Sequence, residues 1–187
     1  TERNLPMVDD GSGADAVAGD GIFTATIPAG RAENGQMIRW YMTAEDTQGQ
    51  TSRYPRFDSP LDSEEYFGTI LADPSVQSNL PVLHWFVSSR NAAMTRGGTR
   101  GSLYYDGEFY DNVQFDLHGQ STGSFPTQKK SMDVDFTADH RFRWSDDIPR
   151  MKDFNLLTNY ADKSKLRNTL AYEQRRLIGD AYHLALP

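Results

Sequence analysis

Apolar and polar residues alternate most regularly in residues 103–136. Alternation on both sides of Asp106 and Gly107 predicts two antiparallel strands, because an Asp-Gly pair readily adopts the backbone angles of a two-residue hairpin turn. A further alternating run at residues 131–136 predicts another strand beyond a polar loop. These strands are expected to form the centre of the fold.

Shorter runs predict strands elsewhere in the chain. The run at residues 80–87 is almost entirely apolar and is expected to be a buried strand, with His84 inside the core. The other predicted strands lie at residues 22–27, 37–44, 65–71 and 153–157. Proline and polar residues are frequent in residues 51–79, so this segment is predicted to be a linker.

The last predicted element is a helix that ends at Gly179. Asp162 or Ser164 is expected to cap its first turn. Its apolar residues fall on helical spacings and are Leu166, Leu170, Leu177 and Ile178. This apolar face is expected to pack on the sheet, whereas the opposite, largely basic face is expected to be solvated.

Composition excludes several classes of protein. The 187 residues are 37% hydrophobic and 12% aromatic, which is enough for a folded core. The net charge of -7, without a dense basic stripe, argues against nucleic acid as a partner. No apolar run approaches the roughly 20 residues that a membrane span needs, and the absence of cysteine excludes disulfides and thiolate metal sites.

Residues 9–21 are rich in aspartate and glycine. The candidate calcium ligands are Asp9, Asp10, Asp15 and Asp20, because calcium prefers several carboxylate and carbonyl oxygens on a flexible loop. Their spacing does not match an EF-hand, and aspartate and glycine are also the ordinary residues of turns. A calcium site and a simple turn therefore both remain open.

A loop of glycine and hydroxyl residues separates the second and third central strands. Its candidate phosphate-facing residues are Gly119, Ser121, Thr122 and Ser124, and Lys129 and Lys130 follow them. Bare backbone N–H groups with a nearby ammonium are suited to holding phosphates. The glycine spacing is not that of a P-loop, so the alternative is a plain connection with solvated lysines.

Several motifs in a fixed order resemble the spore-coat CotH kinase family. They are YDG at 105–107, HGQSTGSFPTQKKS at 118–131, NLLTNYADKS at 155–164 and RNTLAY at 167–172. The resemblance covers residues 80–187 and implies an atypical kinase that transfers phosphate from ATP, with magnesium or manganese, to serine or threonine of partner proteins. The chain departs from the family in having His118 before Gly119, and two extra residues before Lys129.

The resemblance also implies residue roles. The glycine-serine loop would face the phosphates, Lys130 or less favourably Lys129 would supply the cation, and Glu173 would orient that lysine, by analogy with the helix glutamate of ordinary kinases. The metal-binding acids and the catalytic aspartate of the family lie in motifs that would follow residue 187. Both ends of the sequence look cut, so we expect an inactive fragment of a longer protein.

The run DDGSGADAVAGDGIFT at 9–24 resembles immunoglobulin-like modules of exported bacterial proteins. The predicted domains are therefore a partial immunoglobulin-like module at 1–50, a linker at 51–79 and an incomplete CotH kinase-like domain at 80–187. The predicted fold class is α+β and β-rich: a partial antiparallel β-sandwich module, then the β-sheet lobe of an atypical kinase-like domain with one C-terminal helix. An extracellular or cell- or spore-surface location is expected, and the alternative function is a non-catalytic surface or spore-coat assembly or adhesion module.

Overall fold

The computed structural model describes residues 2–119, 129–159 and 162–179. Over these ranges the chain is β-rich with mostly antiparallel sheets, as the sequence predicted, and it has two short helices, of which the sequence predicted only the second. The elements are β1 Met37–Trp40, β2 Met42–Glu45, β3 Thr51–Tyr54, β4 Phe67–Ile70, β5 His84–Val87, α1 Arg90–Ala93, β6 Thr99–Tyr105, β7 Glu108–Leu117, β8 Met132–Asp135, β9 Asp153–Leu156 and α2 Arg167–Leu177. In the described ranges, neither helix has the length and apolar character needed to cross a bilayer.

The largest sheet has five strands in the order β5-β6-β7-β8-β9, and each neighbouring pair is antiparallel. Its central hairpin joins β6 to β7 through Asp106 and Gly107, whose φ angles of 47° and 84° are those a tight two-residue turn requires. The predicted hairpin and the strand that follows the polar loop are therefore confirmed. Two smaller sheets pair β1 with β4 and β2 with β3.

Strand alternation gives the five-stranded sheet one apolar and one polar face. On β7 and β8, the residues Val113, Phe115 and Val134 are fully buried in the core. The intervening Asp116 and Asp133 lie directly opposite one another on the other face. Each large buried side chain contributes about 1.5–3 kcal/mol through removal of its surface from water.

The segment between β8 and β9 covers the apolar face with aromatic rings. Phe142 is fully buried, and its ring centroid lies 5.0 Å from that of Phe136, 5.3 Å from that of Tyr110 and 4.8 Å from that of Phe154. Hydrogen bonds between Phe142 and Met151 hold this segment in place. The sequence predicted no strand or helix for this segment, because Phe142 and Trp144 stand among charged residues without a period that reveals their partners.

Several predicted strands differ from the structure. Residues 22–27 do not form a strand, since Thr24 makes only an isolated bridge with Val8. The run at 37–44 is two strands, separated at Tyr41. The segment predicted to be a linker contains β4, within the strand predicted at 65–71, and also β3, which was not predicted. The predicted buried strand is shorter and more exposed than expected, with Trp85 partly accessible, because β5 lies at the edge of its sheet.

Helix α2 forms in the predicted segment, but its predicted packing is wrong. The helix begins later than predicted, with Leu166 at the N-cap position and no side-chain cap there. Asp162 nevertheless accepts a hydrogen bond from the backbone N–H of Arg167 at 2.9 Å and so satisfies a donor of the first turn. No residue of α2 is buried. The apolar side chains of α2 and of the two residues that flank it are exposed. The exposed fraction of the surface is 57% for Leu166, 60% for Leu170, 78% for Leu177 and 81% for Ile178. Helical periodicity specifies an apolar face and does not specify a surface to cover it.

The chain divides into two compact units. One comprises Thr1–Ile38 and Ile70–Gln77, and the other comprises Arg39–Thr69 and Ser78–Pro187. The first unit contains the aspartate-rich loop, and the second contains the five-stranded sheet and α2. The predicted domains at 1–50, 51–79 and 80–187 stay predictions, because compactness alone does not define a domain.

Candidate functional site

The base of the glycine-serine loop lies at one end of the five-stranded sheet. The backbone N–H of His118 donates to the carbonyl oxygen of Ser131 at 2.9 Å, so the β7–β8 pairing continues one position beyond the strands. On the other side of β7, the N–H of Leu117 donates to the carbonyl of Thr95 at 3.0 Å. Both bonds fix the backbone from which the loop departs.

Gly119 is the one residue of the predicted phosphate-facing set that the structure describes. Its φ angle is 81°, in the region that favours glycine, and its carbonyl oxygen accepts a hydrogen bond from Nη2 of Arg96. Arg96 is exposed and follows α1 along the chain. The structure thus brings a guanidinium to the loop base from a segment for which the sequence analysis proposed no role.

The two lysines differ in their exposure. Lys130 is half-buried whereas Lys129 is exposed, which favours Lys130 as the cation of a partly desolvated site. The following residue, Ser131, is buried, and its Oγ accepts a hydrogen bond from the N–H of Thr158 at 3.2 Å. That bond ties the start of β8 to the end of β9 and so fixes the backbone next to Lys130.

The remaining residues of the predicted nucleotide site have different outcomes. Ser121, Thr122 and Ser124 lie outside the described residues. Glu173 forms an ion pair with Arg176 at 3.2 Å along α2, and both side chains are exposed. Its predicted role of orienting Lys130 stays a prediction.

Acidic side chains line the polar face of the sheet next to the loop base. Asp116 lies opposite Asp133, and Asp135 lies opposite Asp153. Partial burial, and then the charges of Asp133 and Asp135, raise the pKa of Asp116 above its ordinary value. Partial burial, and then the charges of Asp153 and Asp133, likewise raise the pKa of Asp135. This face therefore carries several carboxylates close to one another beside the loop base.

One imidazole lies where the acidic face meets the loop base. Nδ1 of His118 donates a hydrogen bond to Oδ1 of Asp133, with a distance of 2.6 Å between the two atoms. Both side chains are about one-third exposed, at 35% and 34%. No role was predicted for His118 from the sequence, because the pairing arises only when β7 and β8 lie side by side.

A second polar cluster surrounds Glu108 at the start of β7. His140 donates from Nδ1 to Glu64 at 2.5 Å and from Nε2 to Glu108 at 2.7 Å. Arg143 and Arg150 also contact Glu108, at 3.0 Å and 2.7 Å. These residues are far apart in the sequence, and no motif or spacing indicated that they meet.

The two central members of this cluster have shifted pKa values. Partial burial opposes ionisation of Glu108, but hydrogen bonds from Arg150, His140 and Arg143 outweigh it and lower the pKa of Glu108 to about 2. Burial disfavours the imidazolium of His140, but the hydrogen bond and charge of Glu64, followed by those of Glu108, raise its pKa above the ordinary 6.5. The cluster is thus a charged clamp between residue 64, β7 and the segment that follows β8.

The aspartate-rich loop brings three of its four predicted calcium ligands together. One carboxylate oxygen from each of Asp9, Asp15 and Asp20 lies within 4.8 Å of the others. Asp15 is buried, and its Oδ2 accepts a hydrogen bond from the N–H of Gly11 at 2.6 Å. Within the part of the chain that the structure describes, no lysine or arginine forms an ion pair with these three carboxylates.

Asp10 does not join this group. Its carboxylate accepts hydrogen bonds from Oγ and N of Ser12, at 2.6 Å and 3.0 Å, and the first of these lowers the pKa of Asp10. Asp9 in turn accepts hydrogen bonds from the N–H groups of Gly19 at 2.6 Å and Gly21 at 3.0 Å. The loop therefore uses its carboxylates as turn residues do, as the sequence also indicated.

Comparison of the chain with protein-family models, with curated proteins and with solved structures finds no match. The family relationship therefore stays a prediction that rests on the order of the sequence motifs. The function has to be argued from those motifs and from the geometry of the loop base.

Proposed function

We propose that this chain is part of an exported or surface-associated atypical protein kinase, similar to the CotH kinase family, and that it binds the phosphates of ATP. The observation that carries this proposal is the set of groups at one loop base. Gly119 supplies backbone without a side chain, and Arg96 and Lys130 bring positive charge from two separate segments of the chain. Phosphoryl transfer requires positive groups that the protein holds in fixed positions beside the phosphates.

The hydrogen-bond donors of these residues are suited to a nucleoside triphosphate. Lys130 would contact the phosphates as a point charge, and Arg96 would do so through the guanidinium nitrogens that Gly119 does not engage. Magnesium or manganese bound with ATP would neutralise the charge that develops on the transferred phosphoryl group. We assign no metal ligand and no catalytic base for phosphoryl transfer to this chain, and we expect it to be inactive by itself.

The alternative function is a non-catalytic module for surface adhesion or spore-coat assembly. The observation that favours it is the exposed apolar face of α2, since such a face is typical of a surface that contacts another protein. The two functions differ in what the loop base binds. A coat or adhesion module has no need for nucleotide affinity.

Nucleotide binding is tested by titration calorimetry of the chain with ATP and magnesium. Replacing Lys130 by alanine is expected to weaken ATP binding about tenfold, since one charge-assisted contact is lost. The matched control is Lys152→Ala, which removes an exposed lysine beside the acidic face. This control is expected to change the affinity by less than about twofold. Absence of binding, or equal effects of both substitutions, would favour the non-catalytic module.

We also propose that the aspartate-rich loop binds calcium. Its support is the convergence of Asp9, Asp15 and Asp20, because hard divalent cations bind grouped carboxylates. Added calcium is expected to raise the melting temperature, since an ion that binds only the folded state stabilises it by mass action. Asp15→Asn should abolish this increase in a thermal denaturation series, whereas Asp10→Asn should preserve it. A melting temperature that does not respond to calcium would leave the loop as a turn.

A further inference from the structure

The His118 ring is held more firmly than a surface side chain requires. Its backbone N–H bonds to Ser131, and the preceding Leu117 is bonded to Thr95. Its Nδ1 donates to Asp133 at 2.6 Å, while the ring keeps about one-third of its surface accessible at 35%. Backbone and ring are therefore both fixed before any ligand arrives.

This arrangement leaves one ring nitrogen for a ligand. Asp133 engages Nδ1, so Nε2 is the nitrogen that can contact another molecule, and Nε2 donates to an anion when both ring nitrogens carry a hydrogen. His118 directly precedes Gly119, whose carbonyl is bonded to Arg96. The imidazole thus lies one residue from the point where the proposed phosphate site begins.

We propose that His118 is a phosphate-contacting residue of the nucleotide site, and that Asp133 is the positioning residue that orients its ring. This inference rests on the proposed function and adds a binding group to the same site. With hydrogens on both ring nitrogens, His118 would add a third donor to those of Arg96 and Lys130, and three donors fit a polyphosphate better than a single phosphate. The site should therefore prefer a nucleoside triphosphate to a monophosphate.

If His118 and Asp133 formed only an ordinary surface pair, removing Asp133 would have the opposite effect on anion binding. A surface His-Asp pair contributes little to stability, and removing a nearby carboxylate should strengthen the binding of an anion. If Asp133 positions His118, its removal should weaken anion binding even though a negative charge is lost. Asp153 lies on the same face of the sheet and is the matched control for the charge.

The experiment measures binding of ATP with magnesium, of AMP and of inorganic tripolyphosphate to the full chain and its variants. His118→Gln is expected to weaken ATP binding about tenfold, and Asp133→Ala about threefold to tenfold. Asp153→Ala should leave the affinity unchanged or raise it, and His84→Gln should have no effect. In NMR spectra of the histidine rings, the His118 resonance should shift on addition of ATP while the His84 resonance stays in place.

The outcomes separate the two proposals. If Lys130-dependent ATP binding persists in His118→Gln, or if Asp133→Ala strengthens binding as Asp153→Ala does, the inference is wrong and the proposed function stands. If neither ATP nor tripolyphosphate binds the parent chain, both are wrong. Circular dichroism checks the fold of each variant, and His118→Gln decides the result if Asp133→Ala does not fold.

Discussion

Replacing Asp111 by asparagine is expected to lower the free energy of unfolding by about 3 kcal/mol. Asp111 lies on β7, and only 3% of its surface is exposed. Its Oδ1 accepts a hydrogen bond from Ser102 at 2.7 Å and lies 3.5 Å from Nη1 of Arg39. Its Oδ2 accepts hydrogen bonds from the backbone N–H groups of Glu65 at 3.2 Å and Tyr66 at 3.0 Å.

The size of this effect follows from the chemistry of the site. One carboxylate oxygen faces Ser102 and Arg39, and the other faces two backbone N–H groups. An asparagine has one oxygen, so its NH₂ must face either the Arg39 guanidinium or the two N–H groups. Each buried donor that loses its acceptor costs about 1–3 kcal/mol. Removing one partner of a fully buried ion pair costs about 3–5 kcal/mol, and Arg39 is partly exposed, so the value expected lies at the lower end.

Urea denaturation of the parent and of Asp111→Asn measures this difference directly. Asp116→Asn is the matched control, because Asp116 lies on the same strand and its raised pKa shows that its charge is disfavoured in the folded state. The control is expected to leave the protein as stable as the parent or slightly more stable. A loss of stability that is equal in both variants would mean that Asp111 does not hold residues 65 and 66 to the sheet.

The free energy of unfolding is expected to reach its maximum between about pH 4.5 and pH 6.5, because of the clamp around Glu108. The pKa of Glu108 falls from 4.5 to about 2 on folding, so its contribution is present above about pH 4.5 and is lost as the pH falls towards 2. The pKa of His140 rises above 6.5 on folding, so its contribution is complete below about pH 6.5 and is lost as the pH rises through the folded value.

The groups that face His140 explain both the lower and the upper limit of this pH range. Glu64 and Glu108 bind its two nitrogens, and the ring of Tyr110 lies against it with 4.7 Å between centroids. Arg143 and Arg150 bind Glu108 and hold that carboxylate ionised. Losing the proton from His140, or adding one to Glu108, therefore breaks contacts that join three separate segments of the chain.

Glu108→Gln is expected to lower the free energy of unfolding by about 2–3 kcal/mol at pH 5.5, because it removes the negative charge and one of the two acceptor oxygens that His140 and two partly exposed arginines share. It should also remove most of the loss of stability on acidification to pH 3. The control is Asp146→Asn, since Asp146 contacts Arg143 at 2.9 Å but is 90% exposed and should matter little. Denaturation series from pH 3 to pH 8 measure all three proteins, and parallel curves for the parent and Glu108→Gln would contradict the prediction.

The sequence was most informative where a pattern is local. Alternation around the Asp106-Gly107 turn predicted β6 and β7, and the run after the polar loop predicted β8. These predictions are confirmed because turn chemistry and side-chain alternation depend on neighbouring residues only. The same kind of signal failed at residues 22–27, where alternation is present but the chain provides a partner only at Thr24.

The candidate site could be predicted only in part, for the same reason. Gly119 and the lysines stand out by residue type and by their place between strands. Arg96 donates a hydrogen bond to the carbonyl oxygen of Gly119, and His118 pairs with Asp133. No motif or spacing in the sequence links these residues. They required the sheet to bring α1, β7 and β8 together.

The sequence by itself determined a β-rich chain, its central hairpin, the approximate position of α2, and the residue types at the loop base. Only the tertiary structure decided which polar groups come into contact. It bonds Asp111 to the backbone N–H groups of residues 65 and 66 and places His140 between two glutamates. It also brings Asp9 beside Asp15 and Asp20. The physical reason is that strand and turn preferences act over a few residues. Ion pairs and hydrogen bonds between distant segments depend on how the whole chain packs.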